Sequence, residues 1–237
     1  MKNSISVITV TKNNNKGLFK TLKSLNKQPA KPLEIIVFNG EPSDTKISKI
    51  IDIFKEKLNI TLISEKDNGI YDAMNKAKMI AKGNLLHYLN AGDLVYANPY
   101  QYIKEPCLLK TKVMDVNSGI SWFDRPKLFG FAYCHQGIIF PKDHMNYELS
   151  FKFCADFDLI TKTFSMGLKK LKSEKDGYVI YNLNGLSSNN SIKVTFEMIK
   201  IVWRNFNLLI AFGMIITLIT KTLIPRKLRR LVMRINS

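Results

Sequence analysis

The apolar positions early in the chain fall into short runs and helical stripes that take turns. Ile5 to Val10 is a β-branched run that ends in Thr11-Lys12-Asn13-Asn14-Asn15, and it predicts a buried strand entering a loop. Leu18, Leu22 and Leu25 then recur at helical spacing until Gln28-Pro29 stops the pattern. Leu33 to Phe38 predicts a second buried strand that closes on Asn39-Gly40. Ser43 or Asp44 can cap a following helix whose apolar positions are Ile47, Ile50, Ile51 and Phe54. Ile60 to Ile63 predicts a third strand, and Ile70 to Ala81 a helix stopped by Gly83. Leu85 to Leu89 predicts a fourth strand, ending in Asn90-Ala91-Gly92-Asp93.

Strands alternating with helices imply an α/β fold, a mostly parallel mixed sheet flanked by helices on both faces. Ligands of such sheets bind beyond the carboxyl ends of the strands. The polar clusters TKNNN, NGEPSD, SEKDNG and NAGD all fall at those ends. Beyond Asp93 the regularity fades. Val113–Phe123 and Phe131–Phe140 hold short candidate strands, Ala155–Met166 reads as a helix, and Gly177–Tyr181 as a strand. This half is expected to extend the same sheet and form the other wall of the site. The expected division is a domain of residues 1–195 and a basic, apolar helical tail of residues 196–237.

Composition sharpens this picture. With 46% apolar residues the chain can bury a sizeable core. The net charge of +17 calls for a polyanionic partner: nucleic acid, a phosphorylated small molecule or an anionic membrane face. After Glu197 there is no acidic residue, while Lys200, Arg204, Lys221, Arg226, Lys227, Arg229, Arg230 and Arg234 flank the most apolar segment. That layout favours an anionic membrane surface over nucleic acid, which is not expected as a partner. Leu208 to Thr220 is almost uninterruptedly apolar, borderline against the ~20 residues a straight span needs. Past Pro225, RKLRRLVMRI resembles a basic amphipathic helix at a headgroup surface. Peripheral or monotopic attachment at the cytoplasmic face is expected, ahead of a single span or a buried helix. Cys107, Cys134 and Cys154 show no metal-ligand spacing, and the N-terminus reads as a strand rather than a signal peptide.

Several residues could carry chemistry. Asp93 ends a buried strand after a glycine, where one carboxylate and a substrate diphosphate would suit Mg²⁺ or Mn²⁺; on the tetrapeptide alone a turn is the plainer reading. The acids of SEKDNG and of Cys154-Ala155-Asp156-Phe157-Asp158 precede or open helices, where capping and dipole pairing are ordinary. One of the latter pair could instead be a general base. His135-Gln136-Gly137 follows an aromatic run; a lone histidine is more often structural than a ligand. No Ser-His-Asp order, Walker A loop, HExxH or GxGxxG fingerprint is present.

Taken together, four landmarks resemble the family 2 glycosyltransferases with the A-type nucleotide-sugar-binding (GT-A) fold, in particular bacterial enzymes of capsule, exopolysaccharide and O-antigen assembly of the colanic-acid type. They are SVITVTKNN with SLNKQ; EIIVFNGEPSDT; the block SEKDNGIYDAMNKAKMIAKGNLLHYLNAGD; and HQGIIF followed by CADFDL. Asn184-Gly185-Leu186-Ser187-Ser188 resembles a late GGxS turn. The resemblance implies that Thr9, Thr11, Asn39, Asp67, Asn75 and Asn90 serve the nucleotide-sugar, with Asn39 where the family often has a base-binding Asp. It implies His135 and Gln136 on the acceptor or phosphate side, and Asp156 as catalytic base, with Asp158 structural. Asp93 matches the last carboxylate of a DxD-like motif and would hold the divalent metal, although Gly92 replaces the preceding Asp. The implied reaction is inverting transfer from a nucleotide-diphospho-sugar to a hydroxyl of a saccharide or polyprenyl-diphosphate-linked acceptor. Rival readings are a non-catalytic binding protein of the same fold, a basic nucleic-acid-binding protein and a nucleotidyltransferase.

Overall fold

A computed structural model of the chain describes residues 4–101, 103–115, 119–123, 134–165, 172–182, 191–209, 211–213 and 215–216. The first half follows the expected order: β1 (Ile5–Thr11), α1 (Asn15–Asn26), β2 (Glu34–Asn39), α2 (Lys46–Phe54), β3 (Ile60–Ser64), α3 (Ile70–Ile80) and β4 (Leu85–Tyr88). The second half adds β5 (Leu94–Tyr96), β6 (Cys107–Asp115), β7 (Ile120–Phe123), a 3₁₀ turn at His135–Gly137, β8 (Ile138–Pro141), α4 (Ala155–Ser165), β9 (Lys172–Asn182) and α5 (Ser191–Asn205). The described strands form one sheet in the order β3-β2-β1-β4-β8-β6-β9-β5, with β7 pairing to β6.

β3, β2, β1 and β4 run parallel, and β8 pairs antiparallel to β4. The sheet is therefore mixed, parallel where helices cross over and mostly antiparallel beyond. Alternate residues of the central strands feed two cores. Val7, Ile35 and Val37 pack with Leu18, Leu22 and Leu25 of α1 and with Ile47 and Phe54 of α2. Ile8, Ile36, Phe38 and Leu86 face the opposite core, with Met74 and Ala77 of α3, Leu159 of α4 and Ile201 and Val202 of α5. Burial on both faces explains why these strands are continuous apolar runs.

α2 takes its start from Asp44, whose Oδ1 accepts the Lys46 N–H at 3.0 Å; Ser43 instead bonds Glu41. α5 crosses the expected boundary at residue 195, and its apolar face is part of the core of the sheet. The NGLSS turn at 184–188, residues 124–133 and the basic segment beyond 216 lie outside the described residues.

Candidate functional site

Strand order reverses about β1: β2 and β3 lie to one side, β4 to the other. The loops leaving β1 and β4 therefore diverge, and the crevice between them is where an open α/β sheet accepts a ligand. Two side chains fix its walls. Asn14 caps α1, its Oδ1 accepting the Gly17 N–H at 3.0 Å, and its Nδ2 donates across the crevice to the Ala91 carbonyl at 2.8 Å. The Thr21 hydroxyl accepts the Gly92 N–H at 2.9 Å and donates to the Asp93 carbonyl at 2.8 Å. Thr9 Oγ1, Thr11 Oγ1, Asn15 Oδ1 and Asn90 Oδ1 are buried here without a hydrogen-bond partner among the described residues. Buried polar atoms are normally paired, so four such oxygens at one sheet end mark a place prepared for polar groups from outside the chain.

The ends of β2 and β3 complete this edge. Asn39 donates to the Glu41 carbonyl at 2.7 Å and Ser64 Oγ at 2.9 Å, and its Oδ1 accepts the Glu41 N–H at 3.0 Å. Its amide thus holds the turn that follows β2. Asp67 reaches over that turn: a Cβ on Gly40 would lie 1.9 Å from Asp67 Oδ2, so only glycine permits the carboxylate to settle there. Asp67 Oδ1 accepts the Gly69 N–H at 2.9 Å.

Asp93 is buried, and its Oδ1 accepts the Asn182 N–H at 3.2 Å. Burial pushes its carboxyl up to about 7, against the lowering pull of backbone donors. A cation beside it would offset that desolvation. Among the described residues no three acidic, histidine or cysteine side chains converge as a metal cage. The donor set thus fits a hard ion that draws its other oxygens from a bound diphosphate, as Mg²⁺ sites commonly do. Gly92, with φ +114, supplies a backbone conformation that side-chain-bearing residues rarely adopt.

Asp156 stands in the first turn of α4 and is brought to the same sheet edge by Tyr71, from the first turn of α3. Tyr71 Oη lies 2.9 Å from Asp156 Oδ1 and 3.0 Å from the Phe153 carbonyl, and the Phe157 N–H donates to the same Oδ1 at 2.8 Å. Both donors reach the same oxygen, Oδ1, and Oδ2 takes part in neither bond. Burial raises the Asp156 carboxyl, the Tyr71 bond opposes the rise, and the nearby Glu197 charge adds to it.

The other expected residues support these groups. Asn75 holds the Tyr147 backbone at both ends, accepting its N–H at 2.9 Å and donating to its carbonyl at 3.0 Å. His135 is buried, bonded through Nε2 to Tyr147 Oη and packed against Tyr88 and Phe140. Burial lowers its pKa to about 3, so it is neutral. Gln136 offers its carbonyl to His87 Nε2 at 2.7 Å and its Oε1 to the Cys134 thiol at 3.0 Å.

No site role is expected from sequence for Tyr71, Thr21, Asn14 or Glu197; Tyr71 reads there as core packing and Glu197 as the last acidic residue. Asn14 carries a faint signal, a polar loop running into a helix; Thr21, inside that helix, carries none, and neither do Tyr71 and Glu197, because their partners are remote in the chain. Asp158 is buried and clasped by Arg204 Nη2 at 2.6 Å, Asn205 Nδ2 at 2.8 Å and Lys162 Nζ at 2.7 Å. Burial pushes its carboxyl up, but Lys162, Asn205 and Arg204 together hold it below the usual range. It joins α4 to α5 and leaves Asp156 as the acid free for chemistry.

Residues 6–101 match the sequence profile of glycosyl transferase family 2. The chain is 30% identical over 178 residues to a PGL/p-HBAD biosynthesis glycosyltransferase of Mycobacterium tuberculosis, covering 68% of this chain and 69% of the relative. The match to its counterpart in Mycobacterium bovis has the same identity and coverage. Among solved structures, S. aureus TarS 1–349 in complex with UDP superposes with a TM-score of 0.64 at 14% identity, covering 91% of this chain and 70% of that one. The mannosyltransferase PcManGT from Pyrobaculum calidifontis, in complex with GDP-Man and Mn²⁺, gives a TM-score of 0.62 at 15% identity, over 92% and 69% of the two chains. At such identities the structures speak for the fold, an α/β sheet of the GT-A kind.

Proposed function

Since the chain belongs to the family 2 glycosyltransferases and is a transferase, we propose that it moves a sugar from a nucleotide-diphospho-sugar to an acceptor hydroxyl by a single inverting displacement, with Asp156 as the base. The observation that carries this reading is the Tyr71–Asp156 contact. It sets a half-buried carboxylate, with Oδ1 fixed, at the sheet edge that also holds Asp93, Asn90 and Thr11. Asp156 Oδ2 takes the proton of the acceptor hydroxyl as that oxygen attacks the anomeric carbon. The bond from that carbon to the diphosphate oxygen breaks, and the nucleoside diphosphate leaves. Burial raises the Asp156 carboxyl and makes it a stronger base than an exposed aspartate. Asp93 would hold Mn²⁺ or Mg²⁺ jointly with the donor diphosphate, and the ion, when bound, supplies Lewis-acid stabilisation of the leaving group. Thr9, Thr11, Asn39, Asp67 and Asn90 would line the donor side, with Thr9 and Asn39 acting from within the sheet edge.

Asp156→Asn tests the assignment. It is expected to abolish turnover of UDP-GlcNAc or GDP-mannose with Mn²⁺, yet keep the thermal stabilisation that the binding donor gives the wild type. Near-wild-type turnover in that variant would refute the base.

The acceptor in this reading is a saccharide, carried on a polyprenyl diphosphate or similar lipid, in surface polysaccharide synthesis at the cytoplasmic face of the membrane. Support comes from α5, whose outward residues Ile192, Phe196 and Trp203 are 70%, 64% and 60% exposed and are followed by the exposed Leu208, Leu209 and Phe212. Exposed lysines 193 and 200 share this helix, and no described helix is long and apolar enough to cross a membrane. That combination suits interfacial docking on anionic lipid. Full-length protein should sediment with vesicles containing anionic phospholipid. A Phe196→Ser/Trp203→Ser/Leu209→Ser variant should lose more than about tenfold in partitioning, since each buried apolar side chain contributes about 1.5–3 kcal/mol. Equal sedimentation of the two would count against attachment through this face.

A further inference from the structure

We propose that Glu197 is a positioning residue for the catalytic base, its carboxylate gathering the backbone amides that lead into α4 and so holding Asp156 at the sheet edge. The inference rests on Asp156 being the base. Glu197 Oε1 accepts the Lys152 N–H at 3.0 Å, and Oε2 accepts those of Phe153 at 2.9 Å and Cys154 at 3.0 Å. Three successive donors at the entry to a helix have no intrahelical acceptor, so this one side chain satisfies what the fold would otherwise leave open. The chain of contacts continues without a gap. The carbonyl of Phe153, whose N–H is held, lies 3.0 Å from Tyr71 Oη and Asp156 Oδ1 lies 2.9 Å from it, so the two oxygens share the single Tyr71 hydroxyl proton.

α5 thus grips α4 at two separate points. Asn205 and Arg204 fasten the body of the helix through Asp158, whereas Glu197 fastens the segment that aims the base. Glu197 is the last acidic residue of the chain, and its carboxylate is turned to these amides, away from the basic, apolar outer face of α5. The ionisable groups acting on Asp156 are Tyr71 from α3, Tyr147 and Cys154 from the segment before α4, and Glu197 from α5. The Glu197 charge holds the Asp156 carboxyl up, in the same direction as burial.

Glu197→Gln keeps the shape but turns one acceptor into an NH₂ group facing backbone N–H. In full-length protein with Mn²⁺, hydrolysis of UDP-GlcNAc, with GDP-mannose as second donor, is followed against pH. The expected result is a kcat lower by about 10- to 100-fold, as for sub-ångström misplacement of a reacting group, with donor KM unchanged. The acidic limb of the profile should move to lower pH, because the like charge is gone. Asn205→Ala, which loosens α5 elsewhere, should lower Tm but leave kcat and the acidic limb at wild-type values. If Glu197→Gln fails to fold, Glu197→Asp replaces it; it draws the oxygens back while keeping the charge, so kcat falls and the limb moves less. Wild-type kcat and limb in the Glu197 variant would overturn the proposal, as would an equal kcat loss in Asn205→Ala. Asp156→Asn is measured alongside: turnover in it removes the base and this inference together, whereas an inactive Asp156→Asn with a wild-type-like Glu197 variant removes only the latter.

Discussion

At the scale of single residues, the site depends on what the backbone allows and on which oxygen of a carboxylate is left free. Gly92 at φ +114 bears on the acid missing before Asp93: an Asp there would sit in a conformation that L side chains rarely adopt, although space for it exists. The departure from the paired-acid pattern is therefore a property of the turn and does not by itself signal lost activity. Tyr71 works in the opposite sense, through a side chain. Its hydroxyl stabilises the ionised Asp156 and so opposes the upward push of burial. Tyr71→Phe should raise the Asp156 pKa further, leaving less of the base ionised at a given pH. The acidic limb of the pH–rate profile should then move up by about 1–2 pH units, since a hydrogen bond to a charged group is worth about 1.5–3 kcal/mol. An unmoved limb would mean that Tyr71 does not bear on the group that titrates.

At the scale of elements, the loop of residues 142–154 has no regular structure of its own and is shaped by contacts to α3 and α5. Asn75 fixes it by pairing with both backbone groups of Tyr147, whose ring stacks on Tyr71 at 5.4 Å. The resemblance placed Asn75 at the nucleotide; the geometry gives its amide a structural task. Asn75→Ala should cost about 2–4 kcal/mol, because two buried backbone groups lose their partner. Thermal unfolding with and without donor separates the two roles: a stability loss with intact donor binding fits the loop, while weakened binding at unchanged Tm fits the nucleotide. The same contrast explains what could be read in advance. β1, β2 and β4 are buried on both faces and declare themselves as apolar runs, and their ends locate Thr11, Asn39, Asn90 and Asp93 correctly at one edge. β6 buries only alternate residues, and β5 has just three. Their pattern is set by partners distant in sequence, so β5 is not expected at all and only residues 113–115 of β6 fall within an expected strand.

At the scale of the whole molecule, the net charge of +17 contrasts with three histidines kept neutral in the interior. His87, His135 and His144 are buried, with pKa values lowered mainly by desolvation to about 4, about 3 and about 4. Their bonds agree with neutrality. The Gln136 carbonyl can only accept from His87 Nε2, so His87 Nδ1 accepts from Tyr100; the Met145 carbonyl likewise fixes the proton of His144 on Nδ1, and its Nε2 accepts from Tyr88. Unfolding returns each imidazole to a pKa of about 6.5. As pH falls below that value the unfolded chain takes up three protons that the native chain refuses, and stability drops. Asp93 acts with the opposite sign: its native pKa of about 7 exceeds the unfolded value of 3.8, so the native chain binds its proton between these limits and gains stability as pH falls. The raised Asp156 carboxyl adds to this in the same direction. Three protons against one or two leave a net uptake of one to two on unfolding, which amounts to about 1.4–2.7 kcal/mol per pH unit between roughly pH 6 and 4.5. Denaturant midpoints measured from pH 7.5 to 4.5 with chelator present should therefore decline steadily below pH 6.5. Asp93→Asn should steepen the decline, because removing its proton uptake leaves the histidines less opposed, whereas a profile flat to pH 5 would show that the three imidazoles titrate freely in the folded protein.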